Sequence, residues 1–329
     1  MRAAFRLARD ALPDYSCKFS RHDFTLPQLF ACLVVKEHTG RTYRGAEALL
    51  RDCEHWCRAI GLTKVPDHNT LWRAAKFLLA KCRVNGLLDA VARWAAVARA
   101  LGLSLVAMSI DSTYFEPRHV SRHYERRLRE ARKKRAARRD RAGPRAREKS
   151  LRAGKKRGRR LRSRAAKRLP KLTLAVAGRC HLVLSLATST GAGSDCPHFE
   201  PALYDAWRRV PNRRFKVAAD SGFDAESNHR LARHDLGLLS LIPPDAGRPS
   251  KSGKPPASRW RRHMKSLLAT KASRKRCGYT QRWQCETVMS MIKRNLGSAL
   301  RGKTAWSRKR DMALKTLTHD VMVLAELFV

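Results

Sequence analysis

The feature that most constrains this 329-residue chain is a basic segment over residues 126–171. It holds 24 lysines and arginines against three acids, nearly half of the chain's formal charge excess of +44. Such a composition offers too little apolar surface for a core, and it predicts a solvated helical arm or an unstructured loop. The folded part must therefore be built from the chain on either side of an insert at about 120–171.

The rest of the chain is basic as well. The whole chain has 71 Lys and Arg against 27 Asp and Glu and an isoelectric point near 11.3, and about +23 of the charge remains when the basic segment is left out. A field of this size attracts polyanions, since each phosphate contact releases counterions. We therefore expect nucleic-acid binding. The insert is expected to bind phosphates regardless of the base sequence, and the alternative is that it is an inert linker. The candidate DNA contacts in the insert are Arg132, Lys133, Lys134, Arg135, Lys155, Lys156 and Arg157.

The sequence shows no signal for a membrane or for export. No apolar run reaches about 18 residues, the length of a membrane-spanning helix, and the basic start lacks the hydrophobic stretch of a signal peptide. Nine cysteines without a tight CxxC pair fit a reducing compartment. Cys53 and Cys57 are expected as small buried residues rather than zinc ligands. These features predict a cytoplasmic protein with no membrane partner.

Residues 1–100 are predicted to form a helical region. Thr25 is expected to cap the first helix, which has Pro27 in its first turn. Apolar spacing predicts helices over 26–40 and 43–61, one from 69, and one over 87–101. Short basic helices with a turn at 61–68 fit either a DNA-binding helix-turn-helix or a plain helical bundle for packing or dimerisation.

From about residue 101 the pattern changes to short apolar runs typical of buried strands. Five are predicted, over residues 105–110, 172–177, 181–187, 215–219 and 237–242, with a hairpin around Gly178. The first run ends in Asp111 and the fourth in Asp220, so both aspartates are expected at the carboxyl ends of strands. With helical spacing over 279–300 and 310–328, residues 101–329 are predicted to form an α/β domain.

Four polar residues share one side of the predicted helix 279–300: Tyr279, Arg282, Glu286 and Lys293. At about 100° per residue they occupy a sector of about 60°. The apolar residues lie on the opposite side, so this helix is expected to bury one face and present a carboxylate flanked by cations on the other. A surface helix of any basic protein shows a similar mixture, but that reading leaves the two strand-end aspartates unexplained.

The order Tyr279-x2-Arg282-x3-Glu286-x6-Lys293 resembles the Y-R-E-K signature of bacterial insertion-sequence transposases with a DDE active site, in the insertion-sequence-four/five-like group. The contexts of the two aspartates, 109–113 and 218–225, and the stretch 241–244 are similar to the same family. Residues 20–33 and 65–67 resemble its N-terminal helical region. The resemblance therefore covers almost the whole chain, and it implies a transposase that cleaves and joins DNA strands.

The resemblance implies a ribonuclease-H-like mixed sheet with flanking helices, preceded by the helical N-terminal domain. Asp111, Asp220 and Glu286 would be both the catalytic residues and the ligands of two Mg²⁺ ions, with Mn²⁺ tolerated. The chemistry agrees, because two ions about 3.5–4 Å apart stabilise both oxygens of an in-line displacement, and Mg²⁺ prefers carboxylate oxygens. Arg282 and Lys293 would bind DNA phosphate, and Tyr279 would position the backbone.

The expected partner is double-stranded DNA, both the transposon's terminal repeats and the target. A homodimer in a synaptic complex is also expected, because both transposon ends must be held together. Two rival interpretations remain at this point: another metal-dependent nuclease of the same fold, and a non-catalytic or inactivated basic nucleic-acid-binding protein. The second has no need for three separated carboxylates.

Further residues carry weaker expectations. Asp224 is expected to cap the helix that follows it, and Asp195 to mark a turn rather than a ligand. Trp283 and Trp306 offer rings for stacking on a flipped base, although packing is the favoured interpretation. In the last helix, His319-Asp320 departs from the family pattern, which has an Asn there.

Overall fold

The computed structural model describes residues 1–98, 107–117, 130, 169–178, 180–191, 193–210, 215–245 and 258–327. Apart from Glu130 and residues 169–171, the predicted insert lies outside these residues. So do its candidate phosphate contacts from Arg132 to Arg157. Predictions about the insert therefore stay predictions.

The N-terminal part is helical, as predicted. It comprises α1 (Arg2–Arg9), α2 (Leu26–His38), α3 (Tyr43–Asp52), α4 (Glu54–Arg58), α5 (His68–Leu78) and α6 (Lys81–Val97). Thr25 caps α2 through a capping box with Gln28. The single helix predicted over 43–61 is wrong, because the non-helical backbone of Cys53 (φ −110°, ψ 62°) separates α3 from α4.

These helices share one hydrophobic cluster with the sheet. Phe30, Leu50 and Leu87 are fully buried in the same cluster as Ile110 and Leu182. The cluster buries the apolar face of each helix, which supplies most of the stability of short helices. Whether the helical region binds DNA or serves packing alone stays a prediction.

A five-stranded mixed sheet lies at the centre of the following part. Its strands are β1 (Ala107–Tyr114), β3 (Pro170–Ala177), β4 (Leu182–Thr190), β5 (Lys216–Ala219) and β6 (Leu239–Leu241), in the order β4-β3-β1-β5-β6. β3 is antiparallel to both of its neighbours, β1 and β4, whereas β1, β5 and β6 are parallel. A small second sheet pairs β2 (Glu116–Pro117) with β7 (Ala299–Leu300).

The predicted hairpin around Gly178 is confirmed. β3 runs into β4 there, and the chain passes so close to β1 that a Cβ on Gly178 would lie 2.7 Å from the carbonyl oxygen of Ala107. That distance is shorter than any ordinary contact, so this turn requires glycine.

Helices cover both faces of the sheet. They are α7 (Cys196–Arg209), α8 (Glu226–Arg230), α9 (Arg259–Leu267), α10 (Lys271–Cys277), α11 (Trp283–Leu296) and α12 (Ala305–Leu327). Because strand side chains alternate between faces, Leu172, Leu174 and Val176 of β3 meet α11 on one face. Ala175 and Ala177 join α7 on the other. The predicted mixed α/β architecture is confirmed. Among the described helices, none is long and apolar enough to cross a membrane.

Candidate active site

Sheet register places the two predicted aspartates side by side. In the parallel ladder between β1 and β5, Ile110 is the partner of Ala219. The next residues along these strands are Asp111 and Asp220, and neighbouring strands lie about 4.7–4.9 Å apart. Although 109 positions separate them in the sequence, the two carboxylates therefore share one edge.

The prediction that Asp111 ends its strand is wrong. β1 continues to Tyr114, because the antiparallel partner β3 is longer than β5 and pairs Ser112 with Thr173 and Tyr114 with Lys171. Asp111 lies where the parallel ladder stops and the antiparallel ladder goes on. Asp220 does follow its strand directly, as predicted.

Helix α11 brings the third carboxylate to this edge. Cys285, Val288 and Ile292 are fully buried against β3, so the side chain of Glu286, next to Cys285, is directed to the rim of the sheet. One turn earlier, Arg282 lies 2.6 Å from the Glu286 carboxylate and 3.4 Å from that of Asp111. A single guanidinium thus joins the helix carboxylate to the strand carboxylate.

The electrostatics of Asp111 reflect crowding by acids. Burial raises its pKa to about 6, although the Ser112 amide donates to it at 2.7 Å and lowers it. The charges of Asp220 and Glu286 raise it further, and that of Arg282 lowers it. Burial and the two neighbouring acids thus favour the protonated form of Asp111, and such perturbed pKa values are common at functional sites.

Asp220 accepts a hydrogen bond within the turn that follows it, and it lies beside an ion pair that the sequence did not predict. Its carboxylate accepts the Gly222 amide at 2.9 Å, and burial raises its pKa. Lys171, only 2% exposed, forms an ion pair with Asp195 beside this turn. Asp195 raises the pKa of Asp220 and Lys171 lowers it. The signal for this neighbour was Lys171 itself, a lysine directly before the predicted strand 172–177.

The two other members of the Y-R-E-K pattern, Tyr279 and Lys293, lie before the start and near the end of α11. Tyr279 opens a 3₁₀ turn, Tyr279–Arg282, before α11, and its pKa is raised by burial. Lys293 is two turns further along α11 and donates to the hydroxyl of Thr113 at 2.5 Å. Burial lowers the pKa of Lys293. Thr113 shares a face of β1 with Asp111, so Lys293 remains on the acidic side of the sheet.

Asp224 does not have the predicted role of a helix cap. The helix after it, α8, has Ala225 at its N-cap and no side-chain cap. The buried Asp224 carboxylate accepts hydrogen bonds from the Arg261 guanidinium at 2.7–3.0 Å and from the Asp245 amide at 2.9 Å. It therefore ties the turn after Asp220 to helix α9.

The two tryptophans are exposed, so the favoured packing interpretation is wrong for both. Trp283 is 49% and Trp306 73% accessible. In the last helix, His319 and Asp320 are buried, and an oxygen of Asp320 accepts the Val183 amide at 2.9 Å. Burial raises the pKa of Asp320 well above its usual value.

The described residues contain no group of three His, Cys, Asp or Glu side chains close enough to hold a metal ion. In the geometry shown, Arg282 pairs with both Asp111 and Glu286 instead. The donor chemistry nevertheless fits a hard divalent cation, since all three acids offer oxygen and Arg282 is their only ion-pair partner within the described ranges.

A mixed sheet that sets two aspartates on one edge, faced by a helix with a glutamate and an arginine, is typical of α/β enzymes that act on phosphate esters. The family model for the transposase DDE domain matches residues 110–320, well over half of the chain. The chain therefore belongs to this family and is a DDE transposase, which confirms the coarser part of the resemblance. Comparisons with curated proteins and with solved structures found no match.

Proposed function

We propose that this transposase cleaves DNA at the ends of its own element and joins those ends to target DNA, using Asp111, Asp220 and Glu286. The observation that carries the proposal is the pairing of Ile110 with Ala219, which sets the two aspartates side by side. Helix α11 adds Glu286 through a buried apolar face, so the three acids share one rim.

Mg²⁺ is the proposed cofactor, as two ions, with Mn²⁺ as a substitute. The raised pKa of Asp111, near 6, and the raised pKa of Asp220, both caused chiefly by burial, support this proposal, because a bound cation would favour the charged form of each carboxylate. When bound, the ions would stabilise charge on the attacking and leaving oxygens and lower the pKa of an attacking water. Asp111, Asp220 and Glu286 would hold them.

Arg282 would change partners when DNA binds. Its guanidinium lies within 2.6 Å of Glu286 and 3.4 Å of Asp111. Once those carboxylates have other cations, the guanidinium is free to bind phosphate oxygens, for which its planar fork is suited. Lys293 would hold a neighbouring phosphate, and Tyr279 would position the backbone.

The finer assignments are proposals of the same kind. The spacing of Tyr279, Arg282, Glu286 and Lys293 supports the Y-R-E-K branch of insertion-sequence transposases. The sheet order β4-β3-β1-β5-β6, in which β3 alone runs antiparallel to the other four strands, supports a ribonuclease-H-like fold. A homodimer that holds both transposon ends in the cytoplasm completes the proposal.

Cleavage of a labelled duplex that carries the element's own end tests this function. Wild type, Glu286→Gln and Glu54→Gln would be compared in Mg²⁺ and in Mn²⁺, with duplex binding and Mn²⁺ binding measured in parallel. Glu54 is the matched control, because it forms an exposed i,i+4 pair with Arg58 far from the site in the sequence.

We expect wild type and Glu54→Gln to cut at the end, and Glu286→Gln to bind the duplex without cutting it. Loss of a group that acts in the transition state lowers such rates by about 10²–10³-fold or more. Mn²⁺ affinity should fall in Glu286→Gln alone. Equal cutting by Glu286→Gln would reject the role of Glu286, and a wild type inactive with either metal would reject the cleavage proposal.

A further inference from the structure

A second basic surface lies between β6 and the Y-R-E-K helix, inside the described part of the chain. Residues 258–278 contain eight lysines and arginines and no acid. They form α9 and α10, called here the basic helix pair. This run is separate from the insert at 120–171 and from the four Y-R-E-K residues.

Most of its charge faces solvent. Seven cations are exposed: Arg259, Arg262, Lys265, Lys271, Arg274, Lys275 and Arg276. Of the eight, Arg261 alone forms an ion pair with an acid among the described residues. By contrast, the exposed Arg51 and Arg58 of the N-terminal helices each pair with a glutamate four residues earlier. The helix pair therefore presents positive charge that no acid of the described ranges balances, apart from Asp224.

The helix pair is fixed to the sheet beside Asp220. Met264 and Leu268 are buried against Ala218 of β5 and Leu241 of β6. Arg261 binds the buried carboxylate of Asp224, four residues after Asp220. Such a buried charge pair is costly to break, so α9 keeps a defined position relative to the turn that holds Asp220.

The other end of the helix pair leads into the site. Lys216 of β5 donates a hydrogen bond of 2.9 Å to the carbonyl of Cys277, which is the last residue of α10. Gly278, with a left-handed φ of +85°, then turns the chain so that Tyr279 begins the 3₁₀ turn that ends at Arg282. The exposed cations therefore flank the carboxylates, with one end of the pair at Asp224 and the other at Tyr279.

We propose that the basic helix pair binds the phosphate backbone of duplex DNA next to the candidate active site. This inference rests on the proposed function, because that function places the scissile phosphate at Asp111, Asp220 and Glu286. Duplex DNA carries about one charge per 1.7 Å of its axis, and the seven residues of α10 span about 10 Å. The surface is long enough to meet several phosphates.

The aromatic residue of the helix pair favours a duplex over a single strand. Single-strand binders stack bases on open aromatic rings. Trp260 is not open, because the guanidinium of Arg233 lies 4.4 Å from its ring centre and that of Arg259 5.1 Å. Its ring also meets His234 edge-on. The surface thus offers cations for a backbone and no platform for bases.

A lysine footprint tests the proposal directly. Full-length Glu286→Gln protein would be acetylated with and without a saturating duplex that carries the element's end, and each lysine quantified by mass spectrometry. We expect Lys265, Lys271 and Lys275 to be protected several-fold by the duplex. Unchanged acetylation of all three would overturn the proposal, as would protection by single-stranded RNA of equal length but not by the duplex.

A matched pair of variants separates charge from folding. In one, Lys265, Lys271 and Lys275 are replaced by Gln, and in the other by Arg. All three side chains are exposed, so both proteins should fold. We expect the Gln variant to bind the duplex roughly tenfold more weakly than wild type. The slope of log Kobs against the logarithm of the salt concentration should become less negative by about 2–3, because three phosphate contacts are lost. The Arg variant should resemble wild type in both measurements. Equal binding by both variants would overturn the proposal.

The two proposals fail separately. Protected lysines with no cleavage by wild type would leave the DNA surface standing and reject the catalytic assignment. Cleavage by wild type with unprotected lysines would reject the DNA surface and leave the catalytic assignment intact.

Discussion

Two regions of the molecule bury carboxylates beside cations, and they balance the charge differently. Where α2 meets α12, Glu37 lies 3.0 Å from the Lys36 ammonium and 2.8 Å from that of Lys315. At the candidate active site the proportions are reversed, because one guanidinium, that of Arg282, faces the carboxylates of Asp111 and Glu286 with Asp220 nearby.

The pKa values record this difference. Burial tends to raise the pKa of Glu37, but Lys36 and Lys315 outweigh it and the pKa is lowered. Burial raises the pKa of Asp111 to about 6, and neighbouring acids reinforce the effect. Glu37, buried between two cations, is therefore favoured in its charged form, whereas Asp111, which shares the one guanidinium of Arg282 with Glu286, is not. The same exchange, carboxylate to amide, should consequently have opposite effects in the two regions.

The largest effect is expected from Glu37→Gln. It leaves two lysines, each 4% exposed, without the acid that they pair with, and only Asp311 remains beside them among the described acids. This should lower the free energy of unfolding by about 3–5 kcal/mol at pH 7. The contribution of an acid with a lowered pKa is present above its unfolded pKa, about 4.3, and is lost as the pH falls through the folded value. Urea denaturation at pH 7 and at pH 4 measures it.

The control for that change is Glu54→Gln, an acid in an exposed pair with Arg58. Exposed i,i+4 pairs contribute about 0.3–0.5 kcal/mol, so this variant should stay close to wild type. A similar loss in both variants would show that the buried lysines near Glu37 do not depend on it.

The next effect has the opposite sign. In metal-free protein, Asp111→Asn should raise the free energy of unfolding by about 3 kcal/mol at pH 8, since each pKa unit corresponds to about 1.4 kcal/mol. A raised folded pKa gives stability that is present below the unfolded pKa and lost as the pH rises through about 6, so the two proteins should converge near pH 4. Urea titrations with chelator present measure this.

Added Mn²⁺ then reverses the order of the two proteins. Wild type should gain stability from the metal through binding to the folded state alone, and Asp111→Asn should gain little. If Asp111→Asn were destabilising in chelator at pH 8, the description of the site as short of positive charge would be wrong.

A gain of the same sign is expected from Asp320→Asn. Asp320 is fully buried, one of its oxygens accepts the Val183 amide, and no lysine or arginine of the described part of the chain pairs with it. Burial raises its pKa. The amide of the variant cannot ionise. The free energy of unfolding of Asp320→Asn should therefore exceed that of wild type by about 1–3 kcal/mol at pH 8, the range for a poorly satisfied buried group, and equal it near pH 4. Thermal unfolding at both pH values checks this, and an equal change at both would contradict the titration argument.

The smallest effect is expected from Glu286→Gln. Its side chain is 52% exposed and pairs with Arg282 at the surface, so the free energy of unfolding should change by no more than about 1 kcal/mol. Chemical denaturation without metal measures it. A large loss would mean that Glu286 holds the fold together, and loss of cleavage in that variant would then say nothing about catalysis.

Part of this architecture was predictable from local patterns. Thr25, Pro27 and apolar spacing located α2, and short apolar runs located the strands and the hairpin at Gly178. The break at Cys53 was not predictable, since the apolar spacing runs through it from α3 to α4. The length of β1 was also missed, because it depends on β3, a strand more than 50 positions away.

The candidate site divides in the same way. Asp111, Asp220 and Glu286 were selected by their contexts, while the ion pair of Lys171 with Asp195 and that of Asp224 with Arg261 were not. Both unpredicted pairs join residues from separate elements, and no local pattern records which cation a given acid will meet.

The sequence by itself determined the DDE family, the charge excess and the elements that carry the three acids, because these depend on residue type and local spacing. The tertiary structure alone decided that β1 and β5 are parallel neighbours in a register that sets Asp111 beside Asp220. It also decided which buried acids have enough cations and which do not. The physical reason is that a pKa depends on burial and on charges within a few ångströms, and both arise only when distant segments pack together.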